Sequence, residues 1–491
     1  MIEAAPAFAA SRFGLGLQPG AADHLADDPV GALIGEAETQ SRLPQDASLP
    51  QTSAILFEVR SHFAAIREQM KALESALGKT GNTTAIPAAA SGAGMGASTA
   101  AGGTTSSVAA LQAALDAERL KKPQQAHYDA AVDALFARSQ QAPIGFFERL
   151  VSFWSNHFAV EADRSSMTRA SVGAYEREAI RPHVLGRFED MLFAVAHHPT
   201  MLFYLDNALS AGIHSPIAKR HPGKWGLNEN YGRELMELHT IGVDGGYDQA
   251  DVRALANALS GWTVANSLKK RAGFGQFIFN KAMHEPGVVT WMGATFAQPG
   301  EAQASAIIHR LAHHPATAKH LAFKLTQSFV ADDPPDDLVA DLAAVFVQSK
   351  GDLGAVTRAL VSDPRSWAAP RTKLRTPQEF VFAAVRALPV DTTPKDQSRA
   401  LKVLGQLPWS PLSPAGYPGD SQGWLAADAM TNRLDFAQFL AARAKPVAPR
   451  TVAAEVLGDL MSPQTKQAIE RAESPRQAFA LLLMSPEFQR R

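Results

Sequence analysis

Hydrophobic residues recur every three or four positions along most of this chain, which is the period of an amphipathic helix. Between the stripes lie polar residues, and no long segment alternates with the period of two that is typical of strands. The pattern predicts an all-α protein. The clearest helical segments are residues 52–77, 108–137, 143–160, 172–198, 315–330 and 377–388, with a break expected at Pro182.

A recurring dipeptide marks several predicted helix starts. A histidine or a residue with a short polar side chain stands directly before a proline, and proline suits the first turn of a helix. Asp248 is a further expected N-cap, with Asp251 one turn later and Gly261 ending the helix. The residues before proline are His198, His314, Asp363 and Ser485.

Strand-like sequence is confined to residues 273–280 and 288–291, which predict at most one short β-hairpin. Residues 80–107 carry few bulky side chains and almost no charge, so we expect a flexible low-complexity insertion at the tip of a helical hairpin. The whole chain, 1–491, is then predicted to be a single mainly helical domain.

The composition excludes several functions. Of 491 residues 46% are hydrophobic, enough for a large core, and 47 Lys and Arg balance 48 Asp and Glu. A net charge of −1 supplies no overall field for nucleic acid, so no nucleic-acid partner is expected. The chain contains no cysteine, which removes thiolate chemistry and disulfides.

Targeting and cofactor signals are also missing from the sequence. No apolar run reaches membrane-spanning length, and the first residues lack a secretory signal, so the protein is expected to be cytoplasmic, or periplasmic or secreted if a leader was removed. The glycines at residues 14–20 follow no strand, and Pro19 stands where a nucleotide-binding helix would begin. No nucleotide cofactor is therefore expected.

The segment NENYGRELMELHTIG, residues 228–242, is the strongest candidate for chemistry. If it is helical, Asn230, Arg233, Glu234 and Glu237 share one face, and His239 joins them only if the helix ends near Leu238. Gly232 would cost about 1 kcal/mol mid-helix, which indicates a close approach to the backbone. Paired carboxylates with a histidine suit acid–base catalysis or a divalent metal, although a solvated helix face explains each residue singly.

Other polar residues stand in apolar surroundings and are candidates for substrate binding. Asn156 and His157 interrupt a hydrophobic stripe, Asp206 and Asn207 end an apolar helix, and His284 follows the predicted strand. The alternatives are a hydrogen-bonded core histidine for His157 and ordinary turns or helix ends for the later three.

A proline-rich segment, residues 405–424, contains Trp409, Tyr417 and Trp424. We interpret it as a loop that packs over the core as a lid. The functional alternative is a binding rim whose aromatic side chains contact a sugar or a peptide.

These elements together resemble a bacterial family catalogued as domain of unknown function 1800. The shared segments include RFGLG (12–16), FWSNHFAV (153–160), residues 228–243, HEPG (284–287) and PWSPLSPAGYPG (408–419). The resemblance covers nearly the whole chain and implies a mostly helical single domain. It supplies no catalytic residues, and it implies a neighbouring alkaline-phosphatase-like protein as a partner.

Two functions follow from the sequence. The first is a hydrolase whose carboxylates and histidines act with or without a divalent metal, in a site between residues 228–239, Asn156/His157 and Asp206/Asn207, roofed by residues 405–424. The second is a non-catalytic helical scaffold or accessory protein for the phosphatase-like partner. A site requires these residues to converge on one pocket, whereas a scaffold requires an exposed apolar surface.

Overall fold

Helices form nearly all of the regular structure in this computed structural model, which describes residues 6–25, 27–43, 46, 48–81, 100–426 and 428–491. Helices make up 63% of the chain and strands 4%, which confirms the all-α class. The α-helices of the first half are α1 Pro6–Arg12, α2 Pro29–Ser41, α3 Thr52–Gly81, α4 Ala100–Leu120, α5 Pro123–Gln141, α6 Phe146–His157, α7 Ser166–Tyr175, α8 Phe188–His197, α9 Pro199–Tyr204, α10 Pro216–Arg220, α11 Asn230–Glu237 and α12 Gln249–Leu259.

The second half continues in the same way. Its α-helices are α13 Glu301–Ala312, α14 Pro315–Phe329, α15 Asp336–Gln348, α16 Leu353–Ser362, α17 Pro364–Ala368, α18 Pro377–Ala387, α19 Pro394–Val403, α20 Ala429–Ala441, α21 Pro449–Leu457, α22 Pro463–Glu470, α23 Pro475–Met484 and α24 Pro486–Gln489. A π-helical turn follows α7 at Glu176–Ile180, and short 3₁₀ helices lie at Ala22–Leu25, Ala162–Arg164, Arg181–His183, Asn207–Leu209, Gln422–Trp424 and Gly458–Leu460.

The strands form two separate antiparallel hairpins. β1 (Trp262–Val264) pairs with β2 (Phe277–Phe279), and β3 (Val289–Trp291) pairs with β4 (Ala294–Phe296). The prediction of one hairpin made from residues 273–280 and 288–291 was therefore wrong in its pairing. Each predicted strand pairs instead with a three-residue segment too short to show a period in the sequence.

The residues predicted to begin helices do so by capping. His198 and His314 accept through Nδ1 from the amides of Thr200 and Ala316, both at 3.2 Å. Asp363 and Ser485 accept from the amides of Arg365 and Phe488. Asp248 forms the capping box with Asp251 that begins α12. Short polar side chains before proline thus satisfy amides that the first helical turn leaves free.

The boundaries of several helices differ from the prediction, and two of the differences have a clear cause in the backbone. Residues 108–137 are two helices rather than one, because Lys122 is left-handed (φ 40°) and Pro123 begins α5. The helix predicted for 143–160 begins at Phe146, since Gly145 adopts φ 87°. Within α6, Trp154 is fully buried and belongs to a hydrophobic cluster that joins residues from α1 to α24. α6 therefore provides a rigid base for side chains on its polar face.

α3 and α4 form the predicted helical hairpin, in which His62 Nδ1 lies 3.0 Å from Glu118 Oε1. α3 ends at Gly81 and α4 begins at Ala100, so both ends of the predicted insertion 80–107 are helical. Residues 82–99 lie outside the described residues, and the insertion there stays a prediction. Among the described helices, none has the length and apolar character needed to cross a membrane.

Candidate functional site

The polar segment 228–242 forms α11 and the turn after it. Asn228 Oδ1 accepts from the amide of Asn230, an exposed residue, at 2.9 Å. Gly232 lies against α12, where a Cβ would be 3.1 Å from the carbonyl oxygen of Val252. The approach to the backbone expected at Gly232 is therefore the approach of another helix, and no ligand is needed to explain it.

The two carboxylates of α11 lie on a half-buried surface beside each other. Arg233 contacts Glu229 at 3.5 Å and donates to Gln249, so it pairs with neither Glu234 nor Glu237. In the described part of the chain neither carboxylate has a side-chain hydrogen bond or ion pair. Burial and, secondarily, the charge of Glu237 raise the pKa of Glu234.

His239 points into the core, away from this pair. Its ring lies 5.1 Å from Phe158 and 6.3 Å from His157, measured between ring centroids. Both ring nitrogens are buried without a hydrogen-bond partner among the described residues. Burial, followed by the charges of Lys324 and His320, lowers the pKa of His239 to about 3. α11 ends where the sequence analysis required, but the turn then directs the ring inward, so His239 does not join the carboxylates.

Asp206, Asn207 and His284 support the chain around β1. Asp206 pairs with Arg164 at 2.6 Å on the surface. The buried Asn207 donates through Nδ2 to the carbonyl of Trp262 at 3.0 Å. His284 Nδ1 lies 2.9 Å from the carbonyl oxygen of Ser260. These contacts fit the turn and helix-end alternatives, and none of the three residues lines the cavity described next.

A cavity of about 380 Å³ lies under residues 405–424, which we call the roof loop. It brings together side chains from segments far apart in the sequence. We call it the roof cavity. Its principal polar residues are Arg149, Ser152, Asn156 and His157 of α6, Lys324, Gln327 and Ser328 of α14, Thr376 and Glu379 at the start of α18, and Gln406, Tyr417 and Arg491.

Asn156 fastens the roof loop to α6. Its Nδ2 donates to the Tyr417 carbonyl at 3.0 Å, and its Oδ1 accepts from the Tyr417 amide at 2.7 Å. The paired contact requires glycine at position 416 for two reasons. A Cβ there would lie 2.5 Å from the Asn156 carbonyl oxygen, and the backbone of Gly416 is left-handed, with a φ of +82°. Together with the contacts of Trp409 to Glu176 and of Gly419 to Lys373, this paired contact holds the segment over the cavity.

The aromatic residues of the roof loop are engaged with the protein. Tyr417 donates its hydroxyl hydrogen to the Leu407 carbonyl at 2.6 Å, and Trp424 donates to the Pro418 carbonyl at 3.1 Å. Trp409 donates to Glu176 Oε2 at 2.8 Å and lines a smaller recess beside the roof cavity. These contacts fit a packed lid better than a rim of free aromatic side chains.

Glu379 is held between two arginines at one wall of the roof cavity. Arg491 Nε donates to its Oε2 at 2.8 Å, and Arg149 Nη2 lies 3.1 Å from its Oε1 without hydrogen-bond geometry. Burial alone would raise the pKa of Glu379, but the charges of Arg149 and Arg491 outweigh it and lower the pKa to about 2. This carboxylate is ionised at every physiological pH and is not a proton donor.

Lys324 has no hydrogen-bond or ion-pair partner among the described residues, although it lines the roof cavity. Burial lowers its pKa to about 8. Its charge also disfavours protonation of the neighbouring histidines. Burial lowers the pKa of His320 to about 4, with Lys324 as the second cause, and lowers that of His157 well below its usual value. His157 Nε2 bonds to the His239 carbonyl at 3.1 Å, which is the behaviour of a core histidine.

The sequence analysis identified Asn156, His157 and Tyr417 of the roof cavity and missed Lys324, Arg149, Glu379 and Arg491. A local signal existed for Lys324, which lies in LAFKLTQSF between buried Leu321 and Leu325. A lysine three residues after one core position and one before another is directed toward the core edge. No local signal marks the other three, because only tertiary packing brings residues 149, 379 and 491 together.

The family model described as protein of unknown function (DUF1800) matches residues 9–490, and the chain therefore belongs to this family. The match confirms the resemblance inferred from the sequence. No curated protein and no solved structure matches the chain significantly.

Proposed function

We propose that the protein binds a small anionic molecule in the roof cavity. One observation carries the proposal: Lys324 lines the roof cavity without a counterion among the described residues. Of the charged side chains that line the cavity, Arg149, Lys324 and Arg491 are positive and Glu379 is negative, so these side chains carry a net charge of +2. A small phosphate, sulfate or carboxylate compound would neutralise this charge.

The cavity also suits hydrolysis of such a molecule, the enzymatic function expected from the sequence. Its lysine has a pKa of about 8, so a substantial fraction of Lys324 is neutral just above neutral pH and can accept a proton from water. Arg149 would stabilise negative charge that develops on the substrate. This scheme assigns the acid–base role to Lys324, since Glu379 stays ionised and His157 is committed to a backbone carbonyl.

Calorimetric titration with inorganic phosphate and with sulfate tests the binding step. We expect Lys324→Met to weaken the binding of at least one of these anions tenfold or more. Lys319→Met is the matched control, because Lys319 lies on the same helix but is exposed, and it should bind as the unmodified protein does. Equal affinity in the Lys324→Met variant, with unchanged circular dichroism, would refute the proposal.

Turnover is tested separately with p-nitrophenyl phosphate, sulfate and acetate. If Lys324 is the base, kcat/KM should rise with pH through an apparent pKa near 8, and the Lys324→Met variant should lose this dependence. Anion binding without turnover of any ester would contradict the hydrolase and favour the accessory role beside a phosphatase-like partner.

A further inference from the structure

A second group of titratable side chains lies outside the roof cavity, between α8 and α13. His309 Nδ1 is 2.6 Å from Glu189 Oε1, and His313 Nε2 is 2.9 Å from Glu189 Oε2. One potential ligand atom from each of the three residues lies within 4.8 Å of the other two. In the described part of the chain this is the only group of three or more such residues with that spacing.

The helices fix this arrangement before any ion binds. His309 and His313 are four residues apart at the C-terminal end of α13, so both rings project from one face. The opposite face is anchored in the core by Ile307, Ile308 and Leu311. Glu189 lies in the first turn of α8, next to the fully buried Phe188. Ligands on two packed helices lose little conformational freedom on binding.

The donor set and the spacing are those of a borderline-soft divalent ion. Zinc binds imidazole nitrogen and carboxylate oxygen at about 2.0–2.2 Å, which separates tetrahedral ligands by roughly 3.3 Å. The present nitrogen–oxygen distances of 2.6 and 2.9 Å are shorter than this separation by about 0.7 and 0.4 Å, and the three ligand atoms lie within 4.8 Å of one another. Small side-chain rotations therefore open a position for the ion, whereas Mg²⁺ and Ca²⁺ prefer sites made wholly of oxygen.

We propose that Glu189, His309 and His313 form a site for a divalent transition metal of the zinc class. The protein supplies three ligands and leaves the fourth position to water or an exogenous ligand. The bound ion would link the start of α8 to the end of α13, directly before His314 caps α14. The site is independent of the roof cavity, whose net positive charge disfavours a divalent cation.

The ordinary alternative is that one carboxylate pairs with two histidines. The side chain of His309 is 62% exposed and that of His313 is 33% exposed, so water screens both contacts and such pairing would add little stability. The two interpretations differ in stoichiometry, because pairing requires no metal.

Calorimetric titration of the metal-stripped full chain with Zn²⁺ tests the site, and Co²⁺ supplies a spectroscopic probe. We expect one tight equivalent of Zn²⁺, a raised melting temperature, and a Co²⁺ absorption spectrum of a low-coordinate site. Mg²⁺ should not compete. His309→Gln combined with His313→Gln should weaken the binding of Zn²⁺ at least 100-fold while circular dichroism stays unchanged.

His127→Gln is the matched control, since His127 Nε2 lies 3.0 Å from Glu58 Oε2 in a surface pair without a third ligand among the described residues. It should leave both stoichiometry and affinity of Zn²⁺ unchanged. Failure to bind one equivalent of Zn²⁺ below 100 µM would overturn the proposal. So would binding that survives in the double variant, because the ion would then be held by other surface groups.

Discussion

At the scale of single residues, positive and negative side chains collect in different parts of this protein. The chain as a whole is nearly neutral, yet the roof cavity carries a net positive charge and α11 carries two carboxylates without partners among the described residues. The sequence shows how many charged side chains there are, but not which of them are buried. Lys324 stands between the core positions Leu321 and Leu325, which is a local signal, whereas the burial of Arg149 is visible only in the packed structure.

Glu379 should be the most important carboxylate of the cavity wall for stability. Glu379→Gln leaves Arg149 and Arg491 buried without an anion, so the free energy of unfolding should fall by about 3–5 kcal/mol at neutral pH. Because the pKa of Glu379 is lowered to about 2, its stabilisation is complete above the unfolded value of about 4.3 and is lost as the pH falls toward 2.

Urea unfolding between pH 2.5 and pH 7 measures this difference. Glu38→Gln is the control, since Glu38 pairs with Arg358 on the surface with 41% of its side chain exposed, and it should cost less than about 1 kcal/mol. Equal losses for the two variants at pH 7 would show that Glu379 is not a buried counterion.

Glu234 should show the opposite dependence on pH. Its raised pKa means that the native state binds the proton more tightly than the unfolded state does, so stability falls as the pH rises from about 4.3 through the folded pKa. Glu234→Gln removes repulsion with Glu237 and should raise stability at pH 7 by roughly 0.2–0.5 kcal/mol. Carboxylate NMR checks the shift. A Glu234 pKa near the model-peptide value of about 4.3 would mean that α11 presents only a solvated face.

At the scale of elements, the helices were predictable and the strand pairing was not. Helix starts were visible because His198, His314, Asp363 and Ser485 each combine a capping atom with a following proline, a local device. β1 has only three residues and follows α12 closely, so the sequence shows no alternating pattern that would predict this strand. Its partner β2 was predicted as a strand, but it was expected to pair with residues 288–291 and not with β1.

Asn156 of α6 makes two of the hydrogen bonds that hold the roof loop over the cavity. Asn156→Ala removes two hydrogen bonds to the Tyr417 backbone and should cost roughly 1–3 kcal/mol. Amide hydrogen exchange in residues 405–424 should accelerate while exchange in α6 changes little. Asn432→Ala is the control, because Asn432 makes a single long contact of 3.5 Å on the surface. Unchanged exchange in the roof loop would mean that its other contacts hold it closed without Asn156.

At the scale of the whole molecule, one hydrophobic cluster joins the first helix to the last, whereas α3 and α4 extend from that body as a hairpin. The segment between them, residues 82–99, has almost no bulky or charged side chains to bury. Composition alone suggested an insertion at 80–107. Residues 100–107 of that stretch belong to α4, and the insertion itself stays a prediction.

Residues 82–99 should be dispensable for stability. His62 of α3 contacts Glu118 of α4, and from this contact α3 continues for 19 residues to Gly81 while α4 reaches back 18 residues to Ala100. At about 1.5 Å per residue these lengths are roughly 28 and 27 Å, so the helix ends lie level with each other. A Gly/Ser bridge of about six residues should therefore replace residues 82–99 without strain. Differential scanning calorimetry should show the melting temperature changed by less than about 2 °C.

Leu56→Ala is the control for this measurement, because it truncates a buried side chain of α3. It should lower the free energy of unfolding by roughly 2–5 kcal/mol, which would show that the assay reports on the hairpin. A drop in melting temperature above about 5 °C for the deletion would mean that residues 82–99 contribute packing that their composition does not reveal.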